Sequence, residues 1–139
     1  MITFDTGNVS LSQNGNMISV EVFVLGALKN VQSDMVVFTL QEVESAGKWV
    51  GKLQEIMMVK EYILLVQAQN GKVGLLTLVF LRKACQNINF KYLQMIEVPL
   101  RSNGGLALFI QANHSLLCFV NCRFQGGFLN RYLRLDDFN

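Results

Sequence analysis

SDMVVFTLQEV, residues 33–43, is the stretch from which the rest of the chain can be read. Met35 to Leu40 is an apolar run interrupted only by Thr39, and it stops abruptly at Gln41 and Glu42. A short run of this kind, rich in valine, predicts a strand buried on both faces. A carboxylate placed where such a strand ends sits at the rim of a core, near solvent, where a metal or a substrate can reach it. A solvated glutamate at a strand end is the plain alternative, and the neighbouring pattern has to decide between the two.

Toward the C-terminus, Trp49, Val50, Leu53, Ile56 and Met57 recur at helical spacing, with Lys48, Lys52 and Glu55 off the stripe. That pattern predicts a surface helix lying on a sheet, with Ser45 as its N-cap. Tyr62–Gln69 and Val73–Arg82 read as two strands joined by Asn70-Gly71, a hairpin signal. Phe90–Val98 reads as a strand that Pro99 ends, since proline cannot donate to a ladder. Gly104-Gly105 is expected to form a turn, Leu106–Gln111 a strand, Asn113-His114 a turn, and Ser115–Phe124 a strand broken by Gly126-Gly127. In the tail, Leu129, Tyr132 and Leu133 fall at near-helical spacing and are expected to open a helix.

Toward the N-terminus, Ile18, Val20, Val22 and Val24 alternate with Ser19, Glu21 and Phe23, which predicts a strand over Ile18–Leu25 that Gly26 ends. Residues 1–16 are expected to form an edge hairpin around an Asn14-Gly15 turn. The expected division is an N-terminal hairpin segment, residues 1–17, followed by one domain over residues 18–139.

Composition narrows the function classes. The chain has 139 residues, 51% of them hydrophobic and 16% charged, which excludes a disordered polypeptide and implies a well-buried, strand-rich core. Twelve basic and ten acidic residues leave a net charge of +2, with no polyanion signature and no nucleic-acid partner expected. No basic flank precedes an apolar core at the N-terminus, so no signal peptide is read there. The longest apolar runs fall short of the roughly 20 residues that span a bilayer, so no transmembrane segment is expected. Cys85, Cys118 and Cys122 are an odd number outside any secretory context, which implies reduced thiols and a cytoplasmic protein, at most peripheral to membranes. On one strand Cys118 and Cys122 would share a face about 13 Å apart, too far for a disulfide, and both are expected to pack in the core.

The order of these pieces resembles a known family. A strand ending in LQE, a helix carrying Trp49, then YILLVQAQ, VGLLTLVFLRK, LLCFVNCRF and NRYLRLDDF is similar to the inositol polyphosphate 5-phosphatases of the endonuclease/exonuclease/phosphatase superfamily. The likeness runs from about Ile18 to the last residue. It implies an α+β fold, mostly antiparallel β-sheet with one flanking helix, forming part of a two-sheet sandwich. It also implies magnesium-dependent hydrolysis of phosphate monoesters on inositol lipids or soluble inositol phosphates. By position Glu42 would be the catalytic metal ligand, a hard oxygen donor suited to Mg2+.

Other positions depart from the family pattern. Where the family has GTWNVN, the matching segment is read as Leu25–Asn30, with Leu28 in place of the first Asn. GNKG becomes Ser102-Asn103-Gly104-Gly105, and the His of CHLAAG becomes Arg123. Asn103 and Arg123 remain as candidate substrate-binding residues. An arginine can still hold phosphate but cannot titrate near neutral pH as histidine does. The family's GDxNxR, PxWCDR and SDH motifs are not found up to Asn139, and the lone His114 reads as a turn residue. Three readings stay open: a truncated, degenerate 5-phosphatase-like domain inactive alone; a non-catalytic module binding a protein or phosphoinositide surface through Arg82, Lys83, Arg101 and Arg123; and an unrelated small β domain. A half-domain would expose the inner face of its sheet, which predicts self-association or a protein partner covering that face.

Overall fold

In the computed structural model the described residues are 2–5, 14–30, 32–99 and 104–123. Their elements run β1 (Ile2–Asp5), α1 (Asn14–Ala27), β2 (Met35–Gln41), α2 (Ala46–Val59), β3 (Tyr62–Asn70), β4 (Leu75–Arg82), β5 (Phe90–Pro99), β6 (Gly104–Ala112) and β7 (Ser115–Arg123). They form a four-stranded sheet in the order β1-β2-β4-β3 and a three-stranded sheet in the order β5-β6-β7. Every strand pairing is antiparallel except β1 with β2. The α+β two-sheet expectation holds.

Alternation along β2 explains the packing. Val36, Phe38 and Leu40 point to one face, where Trp49, Leu53, Ile56 and Met57 of α2 close over them with Leu76, Leu78 and Phe80 of β4. Val37 points to the other face, with Val79 and Leu75 of β4 and Leu106, Leu108 and Ile110 of β6. The strand is therefore buried on both faces, as its composition demands. The rings of Phe38 and Phe80 meet edge to face at a centroid distance of 5.7 Å.

The helix after Glu42 and the β3–β4 hairpin lie where the periodicity puts them. Ser45 occupies the N-cap position of α2 but makes no side-chain cap hydrogen bond.

Four expectations are corrected. Residues 14–27 form helix α1, not the end of a hairpin and a strand, so the sheet carries two helices instead of one. Alternation would put Val22 and Val24 on one side, whereas Val24 is 0% exposed and Val22 66%. The buried set is Val24 and Leu28 with Val20 and Leu25 packed against it, a helical stripe, and contact with the core overrides the β-branched composition. Lys52 of α2 and Glu21 of α1 meet at 3.1 Å across the two helices.

Next, the expected Asn14-Gly15 turn lies in α1, and β1 is an edge strand among the described residues, with residues 6–13 outside them. It pairs parallel with β2, in the register Ile2 to Phe38 and Asp5 to Gln41.

Third, Gly104 and Gly105 are not a turn but the first residues of β6, paired with Pro99 and Val98 on one side and Arg123 and Cys122 on the other. A Cβ on Gly104 would lie 2.9 Å from Cγ2 of Val73, so the close approach of the β3–β4 turn to β6 favours glycine there.

Finally, the inner faces of the two sheets cover one another, and apolar exposure falls elsewhere. Leu116, Cys118 and Val120 of β7 lie exposed on the outer face of the three-stranded sheet, as does Ile96 of β5 across Ala107 of β6. Cys118 is thus not a core residue, and Cys122 is half-buried. No described helix is long and apolar enough to cross a membrane. Arg101, Asn103, Gly126-Gly127 and the tail 128–139 lie outside the described residues.

Candidate functional site

β2 and β7 belong to different sheets, yet their ends are laced together by side chains over three consecutive positions. Asn121 Nδ2 donates to the carbonyl oxygens of Leu40 and Leu76, each at 3.1 Å. Gln41 Nε2 donates to the carbonyl oxygen of Cys122 at 2.7 Å. Arg123 Nη2 donates to Oε1 of Glu42 as an ion pair. Leu40-Gln41-Glu42 therefore matches Asn121-Cys122-Arg123 rung by rung.

Asn121 is 2% exposed, and its Oδ1 is buried with no hydrogen-bond partner among the described residues. The two carbonyls orient the amide, since only the NH2 group can satisfy both.

Backbone geometry sets the carboxylate. Glu42 has φ +58, a left-handed conformation that costs a non-glycine residue about 1–2 kcal/mol. Next to it, Val43 N–H donates to the carbonyl of Gly74 at 2.9 Å, and Gly74 itself has φ +65. A Cβ at Gly74 would come within 3.1 Å of Val43 N, so the β3–β4 turn can approach the Glu42 corner only as glycine. Strain of this kind persists where surrounding contacts over-determine it. Here the Arg123 ion pair and the Val43–Gly74 bond hold it.

The side chains of Glu42 and Arg123 are 23% and 32% exposed, so the pair is largely withdrawn from water. A guanidinium on a carboxylate is a strong, charge-assisted contact. Burial pushes the Cys122 thiol above its ordinary pKa, which keeps it a poor nucleophile. The corner therefore holds a guanidinium paired with a carboxylate, beside amide groups that donate to backbone carbonyls.

Of the residues singled out in the sequence, Glu42 and Arg123 are brought together, while Asn103 lies outside the described residues. His114 is exposed in the β6–β7 turn. The segment Leu25–Asn30 is not at this corner: Leu28 and Lys29 line a pocket with Arg82, at the opposite end of β2 and β4. The position that sequence reading missed is Asp5, which the parallel β1–β2 register sets opposite Gln41, at the strand end where Glu42 follows. Reading residues 1–16 as a hairpin hid it. The signal available was the alternation of Ile2 and Phe4, which suits a strand.

Among the described residues no three His, Cys, Asp or Glu side chains converge as metal ligands. With its carboxylate engaged by Arg123, this corner does not fit the magnesium ion that the resemblance implies.

No family model and no curated protein matches the chain. Solved structures do. The inositol polyphosphate 5-phosphatase domain of spSynaptojanin, in complex with inositol (1,4)-bisphosphate and calcium ion, is similar at TM-score 0.72 and 19% identity, covering 98% of this chain and 42% of that one. Cimex nitrophorin, as the ferrous NO complex of a point mutant, is similar at TM-score 0.64 and 16% identity over 88% of this chain and 45% of that one. A humanized D. rerio TDP2 is similar at 0.59 and 14% over 98% and 54%. The chain thus spans about half the length of the structures it matches. Its two sheets and flanking helices give the chain the fold of about half of each of these structures, among them the inositol polyphosphate 5-phosphatase domain of spSynaptojanin.

Proposed function

We propose that this is a 5-phosphatase-related domain that binds a phosphate ester of the inositol class without hydrolysing it. The observation that carries the reading is the Glu42–Arg123 ion pair. In the family resemblance a glutamate at this strand end serves a metal ion. Here the carboxylate already faces a cation that belongs to the chain and cannot dissociate. A guanidinium keeps further N–H donors for phosphate oxygens, but its pKa bars it from proton transfer. Binding survives that exchange, and general acid–base hydrolysis does not. The ligand class is supported by the inositol (1,4)-bisphosphate held by the similar 5-phosphatase domain. A cytoplasmic protein, peripheral to membranes, is the setting that such a ligand suits.

The test is release of inorganic phosphate from short-chain phosphatidylinositol 4,5-bisphosphate with Mg2+, beside a Glu42→Ala variant, in samples shown by circular dichroism to be folded. The expected result is no release from either. Turnover that vanishes in Glu42→Ala would overturn the reading. Calorimetric titration with inositol 1,4-bisphosphate should show binding that Arg123→Ala weakens.

The outer face of the three-stranded sheet favours a second reading, an interaction module. Leu116 is 64% and Val120 54% exposed on one side of β7, and a partner protein or a second copy covering them would remove apolar surface from water. Sedimentation velocity tests it, and a monomer at every accessible concentration that captures nothing through this face would refute it.

A further inference from the structure

We propose a second, independent ligand site at the opposite end of the four-stranded sheet, a basic pocket for a small phosphorylated polyol. β2 is 7 residues long, so its two ends lie about 20 Å apart. The pocket encloses about 370 Å³ and is lined by Leu28, Lys29, Gln32, Lys60, Glu61, Tyr62 and Arg82. That volume lies at the lower end of the range for small-molecule sites, about 300–1,000 Å³.

The pocket is built by convergence of separate elements. Lys29 follows α1, Lys60 and Glu61 follow α2, Tyr62 opens β3 and Arg82 ends β4. Its wall is ordered: Tyr62 Oη and Arg82 Nη2 both donate to the carbonyl oxygen of Ser33, at 2.6 and 2.8 Å. Leu28 and the Tyr62 ring, 6% and 5% exposed, give an apolar floor.

Charge selects the ligand. Three cations against one carboxylate leave a net charge of two, and the two helix C-termini offset about one of these at roughly half a charge each. The remainder favours an anion, and neither lysine has an ion pair among the described residues. Arg82 keeps guanidinium N–H groups beyond the one on Ser33, in a fork suited to phosphate.

Glu61 adds the second element of recognition. It sits just after the C-cap of α2 with φ +59, and its N–H donates to the carbonyl of Met58 at 3.0 Å. Glycine is the ordinary residue for that left-handed position. A glutamate there carries a backbone cost and sets a carboxylate beside the cations. It repels an anion but accepts hydrogen bonds from hydroxyl groups, as does the Gln32 amide oxygen. A phosphate on Lys29, Lys60 and Arg82 with hydroxyls on Glu61 and Gln32 uses every charged side chain of the wall and its amide.

The probes are glycerol 3-phosphate, inorganic phosphate and glycerol, titrated into 15N-labelled protein and followed by 1H–15N spectra. Glycerol 3-phosphate should move the signals of Lys29, Gln32, Glu61 and Arg82 and bind more tightly than phosphate, with glycerol inert. Lys29→Gln with Lys60→Gln, both exposed positions, should weaken it by about tenfold or more. Glu61→Gly should keep phosphate binding and erase the preference for the polyol ester. Vesicles of phosphatidylcholine containing phosphatidic acid separate the sources: binding lost in the lysine double variant assigns the site to a lipid headgroup, and soluble binding alone assigns it to a free metabolite. The proposal is overturned if no phosphate-bearing probe binds, if the shifts appear at Glu42 and Arg123 instead, or if the double variant binds as the parent does.

Discussion

Asn121→Asp changes one NH2 group to an oxygen and should be among the most damaging isosteric substitutions in the chain. In the parent, Asn121 Nδ2 satisfies the carbonyls of Leu40 and Leu76 and so ties β7 to β2 and β4 across the two sheets. A carboxylate donates nothing, leaving two acceptors unmet at about 1–3 kcal/mol each. It also places a charge where the side chain is 2% exposed. Desolvation and the facing carbonyls raise the pKa of the new Asp above its unfolded value of about 3.9, and each unit of that rise costs about 1.4 kcal/mol while the group is ionised. Asn121→Leu loses the two donated bonds but adds no charge, so it isolates the first contribution, about 2–6 kcal/mol.

The pH dependence follows from the sign of the shift. The folded state of the Asp variant binds its proton more tightly than the unfolded state. Its deficit is therefore full above the raised folded pKa and shrinks as pH falls toward the unfolded pKa. Protonated, the new group can donate one hydrogen bond of the lost pair. The assay is urea denaturation of parent, Asp and Leu variants between pH 4.5 and 8. At pH 8 the Asp variant should be the least stable, and near pH 4.5 it should approach or pass the Leu variant. An Asp variant within about 0.5 kcal/mol of the parent at pH 8, or a deficit that does not move with pH, would refute the account of Asn121 as a buried donor clamp.

The helical reading of residues 14–27 predicts that Val24→Lys costs about 3 kcal/mol or more while Val22→Lys stays within about 0.5, since Val24 is 0% exposed and Val22 66%; equal effects in thermal melts would restore the strand. At Cys85 the hydrogen bond from Sγ to Oδ1 of Asp34, 3.2 Å, is the main cause holding the thiol above its ordinary pKa. The thiolate fraction at pH 8 is therefore low, and Asp34→Asn should lower the pKa and speed iodoacetamide labelling of Cys85 severalfold, read by peptide mass spectrometry; an unchanged rate would remove Asp34 as the cause.

What could be read from the chain depended on how local the responsible physics is. The core strand Met35–Gln41, helix α2 and the β3–β4 hairpin announce themselves by period and turn chemistry within a dozen residues, and each lies where that chemistry puts it. Helix α1 does not. Its valines satisfy both a period of two and a period near four, and only the α2 and sheet surface that Val24 and Leu28 meet selects the second. Gly104-Gly105 carries the letters of a turn but is held in a strand by its pairing with β5 and β7, and Val73 of the β3–β4 turn packs over Gly104.

The candidate site divides in the same way. LQE and NCR each stood out in the sequence, as the end of a buried strand and as a variant of a family motif. Their matching as three rungs joins residues 81 positions apart, and the contact of Glu42 with Arg123 is invisible to any local pattern. So too is the placing of Asp5, which follows from a parallel pairing with β2 that only the assembled sheet makes. The sequence by itself determined the strand-rich class, the two-faced burial of β2 and the presence of a carboxylate at its end. The tertiary structure alone decided that this carboxylate meets an arginine, because long-range pairing is specified by the whole core and not by the residues that happen to meet at its edge.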